Sequence, residues 1–200
     1  MNGHGYNFWF VIFCLPQFCL IQGCTDFQTE SYDISFIDAQ ACSMLSDTTY
    51  IRVSTANISD YNPDWTHQNV AEIANQFIPA LLADTIITLS GETGYLVDTG
   101  TEDSSYFALQ SDRSGNLIIY FDQSVEADIF LSTGDILVPS QSVMPLESVG
   151  GCTYVDGLKR KPLIQTRIEY NTSATTYLFR LNKIDQTEKN SIRLAIIAGS

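Results

Sequence analysis

Short apolar runs separated by turn residues fill the chain after residue 84, and they limit its fold more than any other feature. In residues 175–181, Tyr177, Phe179 and Leu181 occupy every second position. A period of two places these side chains on one face of a strand. Further candidate strands, bounded by Gly, Asp and Ser, are residues 85–90, 94–98, 105–110, 116–122, 127–132, 135–138, 163–170 and 191–198. Many short strands joined by polar turns predict a mainly β protein, an antiparallel β-sandwich.

One segment before these strands has a helical pattern. Apolar residues recur at intervals of three or four between Val70 and Phe77, which predicts a helix over about residues 66–78. Pro79 ends or kinks this helix. Residues 48–55, rich in β-branched and aromatic types, predict a strand ahead of it. The sequence therefore predicts one domain over residues 46–200, with one short helix packed against one end of a sheet.

The N-terminus carries a mostly apolar, uncharged run over residues 8–21. This is the length of the hydrophobic region of a secretion signal. A transmembrane helix needs roughly 20 apolar residues, and Pro16 and Gln17 interrupt the run. We therefore predict that residues 1–23 are an export signal, with an uncleaved signal anchor as the alternative.

The residues that follow, Leu-Ile-Gln-Gly-Cys at 20–24, resemble the lipobox of bacterial lipoproteins. The resemblance implies cleavage after Gly23 and attachment of a diacylglycerol to the thiol of Cys24. Two or more acyl chains give stable membrane anchoring, whereas one is marginal. The predicted protein is thus exported and anchored in a bacterial membrane, at the outer membrane or the cell surface, with residues 24–45 as a tether.

Charge is distributed unevenly along the predicted mature chain. Residues 24–150 hold 19 acidic and 2 basic residues, a formal charge of −17, whereas residues 151–200 hold 4 acidic and 8 basic residues, a charge of +4. An acidic surface repels nucleic acid and anionic lipid headgroups, so the charge argues against both as partners. The asymmetry indicates either acidic and basic faces that attract each other within one sandwich, or a bipolar surface that binds a cation.

Two cysteines remain in the body of the chain, Cys42 and Cys152, because Cys14 and Cys19 leave with the signal and Cys24 is lipidated. An even pair in an oxidising compartment predicts a disulfide. Two buried, unpaired thiols are the alternative interpretation.

Motifs for catalysis are missing from the sequence. The predicted mature chain has one histidine, His67, and it has no Gly-x-Ser-x-Gly, His-Glu-x-x-His, phosphate-loop or dinucleotide motif. We therefore predict that the protein is not an enzyme. A glycosidase-type pair of carboxylates remains the alternative, because tertiary structure rather than sequence spacing places such a pair.

Two loop segments and three loop aromatics are candidate contact sites. Residues 98–103, Asp-Thr-Gly-Thr-Glu-Asp, surround a glycine turn with oxygen ligands, which calcium prefers, so Asp98, Glu102 and Asp103 form a candidate calcium site. A solvated turn is the alternative. The basic run 159–162, Lys-Arg-Lys-Pro, lies in a predicted loop and is either solvated or a contact for headgroups or a glycan. Three loop aromatics could stack on sugar rings or belong to the core, namely Tyr61, Trp65 and Tyr154.

Several segments between residues 84 and 198 resemble the pre-peptidase C-terminal domains of secreted bacterial proteins. They are residues 97–98 (Val-Asp), 102–107 (Glu-Asp-Ser-Ser-Tyr-Phe), 115–120 (Gly-Asn-Leu-Ile-Ile-Tyr), 127–131 (Ala-Asp-Ile-Phe-Leu) and 176–181 (Thr-Tyr-Leu-Phe-Arg-Leu), with a long insertion near 133–174. The resemblance implies a small jelly-roll β-sandwich without catalysis of its own, stabilised by calcium in some members. It makes Asp128 a structural residue whose carboxylate bonds loop amides.

These patterns together predict a membrane-anchored envelope lipoprotein that acts as a non-catalytic binding or structural module. Its expected partners are the membrane, through the lipid anchor, and a glycan or an envelope protein. The alternatives are a subunit of a larger envelope assembly and an envelope hydrolase that uses carboxylates.

Overall fold

Two β-sheets pack face to face in this protein, and a helix covers the outer face of each. The structure is a computed structural model, and it describes residues 35–89, 94–100, 103–143, 152–184 and 190–198. The predicted export signal, Cys24 and the tether up to residue 34 lie outside the described residues, as does Glu102.

The helices are α1 (Phe36–Ser46), α2 (Ile58–Tyr61) and α3 (Val70–Leu81), with a 3₁₀ helix at Pro63–His67. The strands are β1 (Ile51–Ser54), β2 (Ile86–Thr88), β3 (Tyr95–Asp98), β4 (Ser104–Gln110), β5 (Gly115–Phe121), β6 (Val125–Phe130), β7 (Gln141–Val143), β8 (Thr153–Asp156), β9 (Lys159–Pro162), β10 (Thr166–Thr172), β11 (Thr176–Lys183) and β12 (Ser191–Ala198).

The larger sheet has six strands in the order β1-β3-β12-β5-β10-β7, and the smaller has four in the order β2-β4-β11-β6. Strands β8 and β9 form a separate two-stranded hairpin. This arrangement confirms the predicted mainly β sandwich. Two pairings, β1 with β3 and β2 with β4, are parallel, unlike the antiparallel pairing expected throughout. Each parallel pair is joined by a long connection through other elements, which parallel strands require.

The core between the sheets is built from the alternating side chains of both sheets. Tyr177, Phe179 and Leu181 are buried there, as their spacing predicts. The ring of Phe179 stacks on that of Phe107 with centroids 4.6 Å apart. Side chains at the intervening positions of these strands point to the outer faces, where the helices and the polar clusters lie.

Helix α3 covers the outer face of the four-stranded sheet. Its buried residues include Ile73 and Phe77, and they pack against Tyr106 and Leu178 of the sheet. Asn69 caps the helix by accepting a hydrogen bond from the backbone N–H of Ala71. The helix predicted over 66–78 is thus present at Val70–Leu81, and it lies on a sheet face rather than at a sheet end, because that face carries apolar side chains of its own.

Helix α1 covers the outer face of the six-stranded sheet, in a segment for which the sequence predicts a tether. Ala41, Met44 and Leu45 are buried against Tyr120 and Ala195 of the sheet. The side-chain oxygen of Ser35 caps the helix at Asp38 N–H. The described chain therefore differs from the expected tether over residues 36–45, since these residues belong to the folded domain.

Candidate functional site

Cys42 and Cys152 lie at disulfide distance, with their Cα atoms 5.6 Å apart. Cys42 is in the middle of α1 and Cys152 directly precedes β8. Both contribute to the apolar cluster beneath α1, where Cys152 is buried and Cys42 is partly buried. Helix α1, the hairpin and the large sheet are therefore fastened together at one place, and the pair is the one that the cysteine count predicts.

A first polar cluster fixes the N-terminal part of α1 to strands β5 and β10. Tyr120 and Arg167 are opposite each other in the antiparallel ladder. The Tyr120 hydroxyl donates to Asp38 Oδ1 at 2.7 Å, and Arg167 Nε lies 3.5 Å from the same oxygen. A guanidinium nitrogen of Arg167 lies 3.1 Å from Glu169 Oε2. The two carboxylates, Asp38 and Glu169, thus share one arginine instead of facing each other across a cleft as glycosidase acids do.

Burial, hydrogen bonds and neighbouring charges set the protonation states of Tyr120 and Arg167 in this cluster. Burial raises the pKa of Tyr120, and its hydrogen bond to Asp38 adds to the effect. For Arg167, burial opposes the charged form, yet the hydrogen bond with Tyr120 and the nearby Asp38 and Glu169 raise its pKa. The phenol therefore stays neutral and the guanidinium stays charged at physiological pH, which suits a structural contact.

Replacing Tyr120 by Phe is expected to make stability less sensitive to alkaline pH. The folded state holds the Tyr120 proton above the ordinary pKa of 10.0, whereas the unfolded chain releases it there. Above about pH 10 the unfolded state binds fewer protons than the folded state, so stability falls as the pH rises. At neutral pH the substitution costs about 1 kcal/mol through the lost hydrogen bond to Asp38.

Urea unfolding at about pH 8 and about pH 10.5 measures both effects. The unfolding midpoint of the wild type should fall further between the two pH values than that of Tyr120→Phe. The Tyr120→Phe/Tyr170→Phe variant should fall least, because burial also raises the pKa of Tyr170. Equal falls in all three proteins would contradict this assignment.

A second polar cluster fixes the C-terminal end of α1. Arg193 donates to the carbonyl oxygen of Leu45 at 3.1 Å, and the Tyr50 hydroxyl donates to the same oxygen at 2.7 Å. The backbone N–H of Arg193 also donates to Asp122 Oδ1 at 2.8 Å. A cation at the last carbonyls of a helix satisfies unpaired acceptors and complements the helix dipole. This cluster is therefore part of the attachment of α1.

The third polar cluster is a row of three side chains across β4, β11 and β6, on the face that α3 covers. Register places Arg180 opposite Tyr106 on one side and opposite Asp128 on the other. Arg180 nitrogens lie 2.6 Å and 3.0 Å from Asp128 Oδ2, and its guanidinium lies over the Phe130 ring at 5.2 Å. Asp128 thus bonds an arginine rather than the loop amides that the family resemblance implies.

This row is more exposed than the cluster at Arg167, and the buried rings of Tyr106 and Phe77 connect it to two partly exposed aromatic rings. The side chains of Arg180 and Asp128 are 29% and 32% exposed, against 15% for Arg167. Phe77 contacts Tyr106 and also meets the rings of Tyr61 and Trp65 edge to face. Partly exposed aromatic rings on the same face as charged donors and acceptors suit a polar ligand with apolar faces, such as a sugar. We therefore take this row as the candidate binding face.

The predicted calcium ligands and His67 lie on the surface wherever the structure describes them. Asp98 and Asp103 are exposed, and Asp98 Oδ1 accepts a hydrogen bond from Gly100 N–H at 3.1 Å. Within the described residues, no group of three or more Asp, Glu, His or Cys is arranged to hold a metal ion. Because Glu102 is not described, the calcium site stays a prediction. His67 is exposed at the end of the 3₁₀ helix.

Two loop predictions have different outcomes in the structure. Tyr61 and Trp65 are partly buried against Phe77, so they belong to the packing of α3 as well as to its surface. The side chain of Tyr154 lies outside the described residues. The basic run 159–162, expected in a loop, forms strand β9 instead, because it pairs with β8 across a two-residue turn.

The acidic and basic segments of the chain form ion pairs with each other within the sandwich. Three arginines from the basic segment bond acidic residues from the acidic segment: Arg167 with Asp38, Arg180 with Asp128, and Arg193 with Asp122. These contacts favour the first interpretation, attraction between parts of one domain. Sequence reasoning missed all three clusters, because only strand register and helix placement bring their members together.

No family model matches this sequence, and no curated protein is similar to it. The described part of the chain has no helix long and apolar enough to cross a membrane. The resemblances to lipoproteins and to pre-peptidase C-terminal domains therefore remain predictions from short motifs.

Proposed function

We propose that this protein is an exported, lipid-anchored and non-catalytic module that binds a polar ligand or a partner at the bacterial cell envelope. The observation that carries the proposal is the Cys42–Cys152 pair, whose members are 110 residues apart in sequence and meet at disulfide distance. Disulfides persist in oxidising compartments and are rare in the cytosol. The pair therefore supports export, and export agrees with the signal and lipobox at residues 1–24.

The polar clusters support a module without catalysis of its own. The clusters at Arg167 and Arg193 attach α1 to the large sheet, and in each cluster the arginine pairs with a carboxylate. The row at Arg180 is more accessible than the cluster at Arg167, and it offers a guanidinium and a carboxylate on the face where Tyr61 and Trp65 are partly exposed. Such a surface recognises a ligand by hydrogen bonds and ring contacts. We therefore propose a glycan as its ligand.

A subunit of a larger envelope assembly is the second candidate function. Several large apolar side chains of the described chain are exposed, including Phe36 at the start of α1 and Val138 beside β7. Phe36 is 84% and Val138 is 76% exposed. Apolar residues on the surface favour a protein partner when they are contiguous. On this alternative, the anchored sandwich docks through these residues rather than through a glycan.

Fatty-acid labelling in living bacteria tests the anchor. Wild-type protein should incorporate the labelled acyl chain, and Cys24→Ala should not, because the thiol of Cys24 is the proposed attachment point. Cys19→Ala is the matched control, since that cysteine leaves with the signal and its loss should not change the label. Equal labelling of wild type and Cys24→Ala would overturn the proposal.

A further inference from the structure

Two segments of the chain have the acceptor sequence for N-linked glycans, Asn-x-Ser/Thr, in which x is not proline. They are residues 57–59 (Asn-Ile-Ser) and residues 171–173 (Asn-Thr-Ser). Attachment of a glycan at this sequence is a surface modification of secreted proteins. The proposed export would therefore bring both segments to that chemistry, and the surroundings of the two asparagines decide between them.

Asn171 is exposed near the C-terminal end of β10. It pairs with Asn116 of β5 on one side, whereas on the other side the described pairing of β7 with β10 extends only as far as Glu169. Residues 173–175, which connect β10 to β11, are exposed and have small side chains, and the same is true of residues 114–115. This end of the sandwich therefore has room for a bulky group on the Asn171 amide.

Asn57 lies in a different setting. It is half-buried and directly precedes α2, and its backbone N–H donates to Asp60 Oδ2 at 3.0 Å. The residues two positions earlier also differ, because Glu169 precedes Asn171 whereas Thr55 precedes Asn57. Bacterial enzymes that glycosylate asparagine favour an acidic residue at this position, where an arginine of the enzyme can bind the carboxylate. Both differences favour Asn171 as the acceptor.

The residues on either side of Asn171 become inaccessible when the domain folds. Tyr170 is fully buried, and Thr172 is buried with its hydroxyl donating to a backbone carbonyl of β5 at 3.1 Å. The carboxylate of Glu169 is paired with Arg167. A transferase has to bind the residues around its acceptor, so it can bind this segment only before β10 pairs with β5, during export.

We propose that Asn171 is an N-glycosylation site whose donor is an oligosaccharide linked to a polyprenyl diphosphate. The side-chain nitrogen of Asn171 bonds to the anomeric carbon of the first sugar, and the bond from that carbon to the diphosphate oxygen breaks. The polyprenyl diphosphate leaves with the electron pair, and the amide loses one proton to a base of the transferase. The glycan then covers the end of β10 that β7 leaves unpaired, where an open strand edge favours aggregation.

Mass spectrometry of the exported protein tests this assignment, which rests on the proposed export. The full chain is expressed in bacteria that contain an oligosaccharyltransferase and its polyprenyl-linked oligosaccharide. Trypsin cleaves after Arg167 and Arg180 and releases residues 168–180, a peptide that contains Asn171. We expect this peptide to carry the mass of the oligosaccharide in the wild type, and to lose it in Asn171→Gln and in Ser173→Ala.

Two matched variants separate the acceptor sequence from its surroundings. Ser173→Thr preserves the hydroxyl of the acceptor sequence and should keep the glycan. Asn57→Gln should leave the glycosylated fraction of the 168–180 peptide unchanged. In bacteria without the transferase, Asn171→Gln should unfold at the midpoint of the wild type, because Asn171 is exposed.

The order of modification and folding is tested with purified transferase and donor. A synthetic peptide of residues 166–176 should be glycosylated at least about tenfold faster than the folded, unglycosylated protein, because the folded chain exposes this segment only by local unfolding. Equal rates would show that folding does not hide the acceptor and would overturn this part of the proposal.

The outcomes distinguish glycosylation from export. Protein that has lost residues 1–23 and still yields an unmodified 168–180 peptide overturns this inference alone, and so does a glycan confined to Asn57. Unmodified protein that stays in the cytosol overturns the proposed export and, with it, the glycosylation. Because a glycan adds its own mass, the intact mass of the chain and its lipid is measured with the Asn171→Gln variant.

Discussion

Reducing the disulfide between Cys42 and Cys152 is expected to lower the free energy of unfolding by about 4 to 5 kcal/mol in the chain-entropy account. The cross-link closes a loop with a sequence separation of 110 residues, so its loss releases many conformations of the unfolded chain. It also frees α1 and the hairpin from their common attachment. This loss is comparable to the whole stability of a marginal domain.

Urea unfolding with and without reductant measures the effect, and the Cys42→Ser/Cys152→Ser variant provides its control. The variant should unfold at the midpoint of the reduced wild type, and reductant should not shift it further. An unfolding midpoint that is unchanged by reductant in the wild type would contradict the expectation. Alkylation of unreduced, unfolded protein checks the chemistry, because a bridged pair leaves both thiols unreactive.

Substituting Phe77 by Ala is expected to destabilise the protein by about 3 to 5 kcal/mol, as large-to-small changes in packed cores do. Phe77 is fully buried and joins α3 to the sheet through its contact with Tyr106, at 5.4 Å between ring centroids. Its ring also supports Tyr61 and Trp65. The substitution therefore leaves a cavity and loosens the aromatic side of the candidate binding face.

Gln76→Ala is the matched control, because Gln76 is the preceding residue of the same helix and is exposed. Its free energy of unfolding should stay within about 0.5 kcal/mol of the wild type. Thermal or urea unfolding of the wild type, Phe77→Ala and Gln76→Ala measures these differences in stability. A Phe77→Ala protein as stable as Gln76→Ala would show that α3 does not depend on this contact.

The fold could be predicted largely from periodicity. Period-two runs identify most of the strands of the two sheets, since burial on one face of a strand leaves a direct pattern in sequence. The pattern between Val70 and Phe77 identifies α3 for the same reason. Helix α1 was missed because only three of its residues, Ala41, Met44 and Leu45, are buried. A stripe that short is hard to distinguish from a polar segment.

The candidate site could be predicted only in part. The Cys42 and Cys152 pair follows from counting cysteines in a chain that is predicted to be exported. The row at Arg180 does not follow from sequence, because its contacts with Tyr106 and Asp128 depend on which strands are neighbours and in which register. Alternation shows that Arg180 is on the opposite face from Phe179, but it does not identify the residues on either side.

The intact mass of the protein extracted from the membrane fraction without reductant tests the central proposal most directly. We expect the mass of residues 24–200 with a diacylglycerol thioether, further acylation at the new N-terminus, and the loss of two hydrogens for the Cys42–Cys152 bond. A chain that retains residues 1–23, or one that begins elsewhere and carries no lipid, would contradict the proposal of an exported, lipid-anchored module.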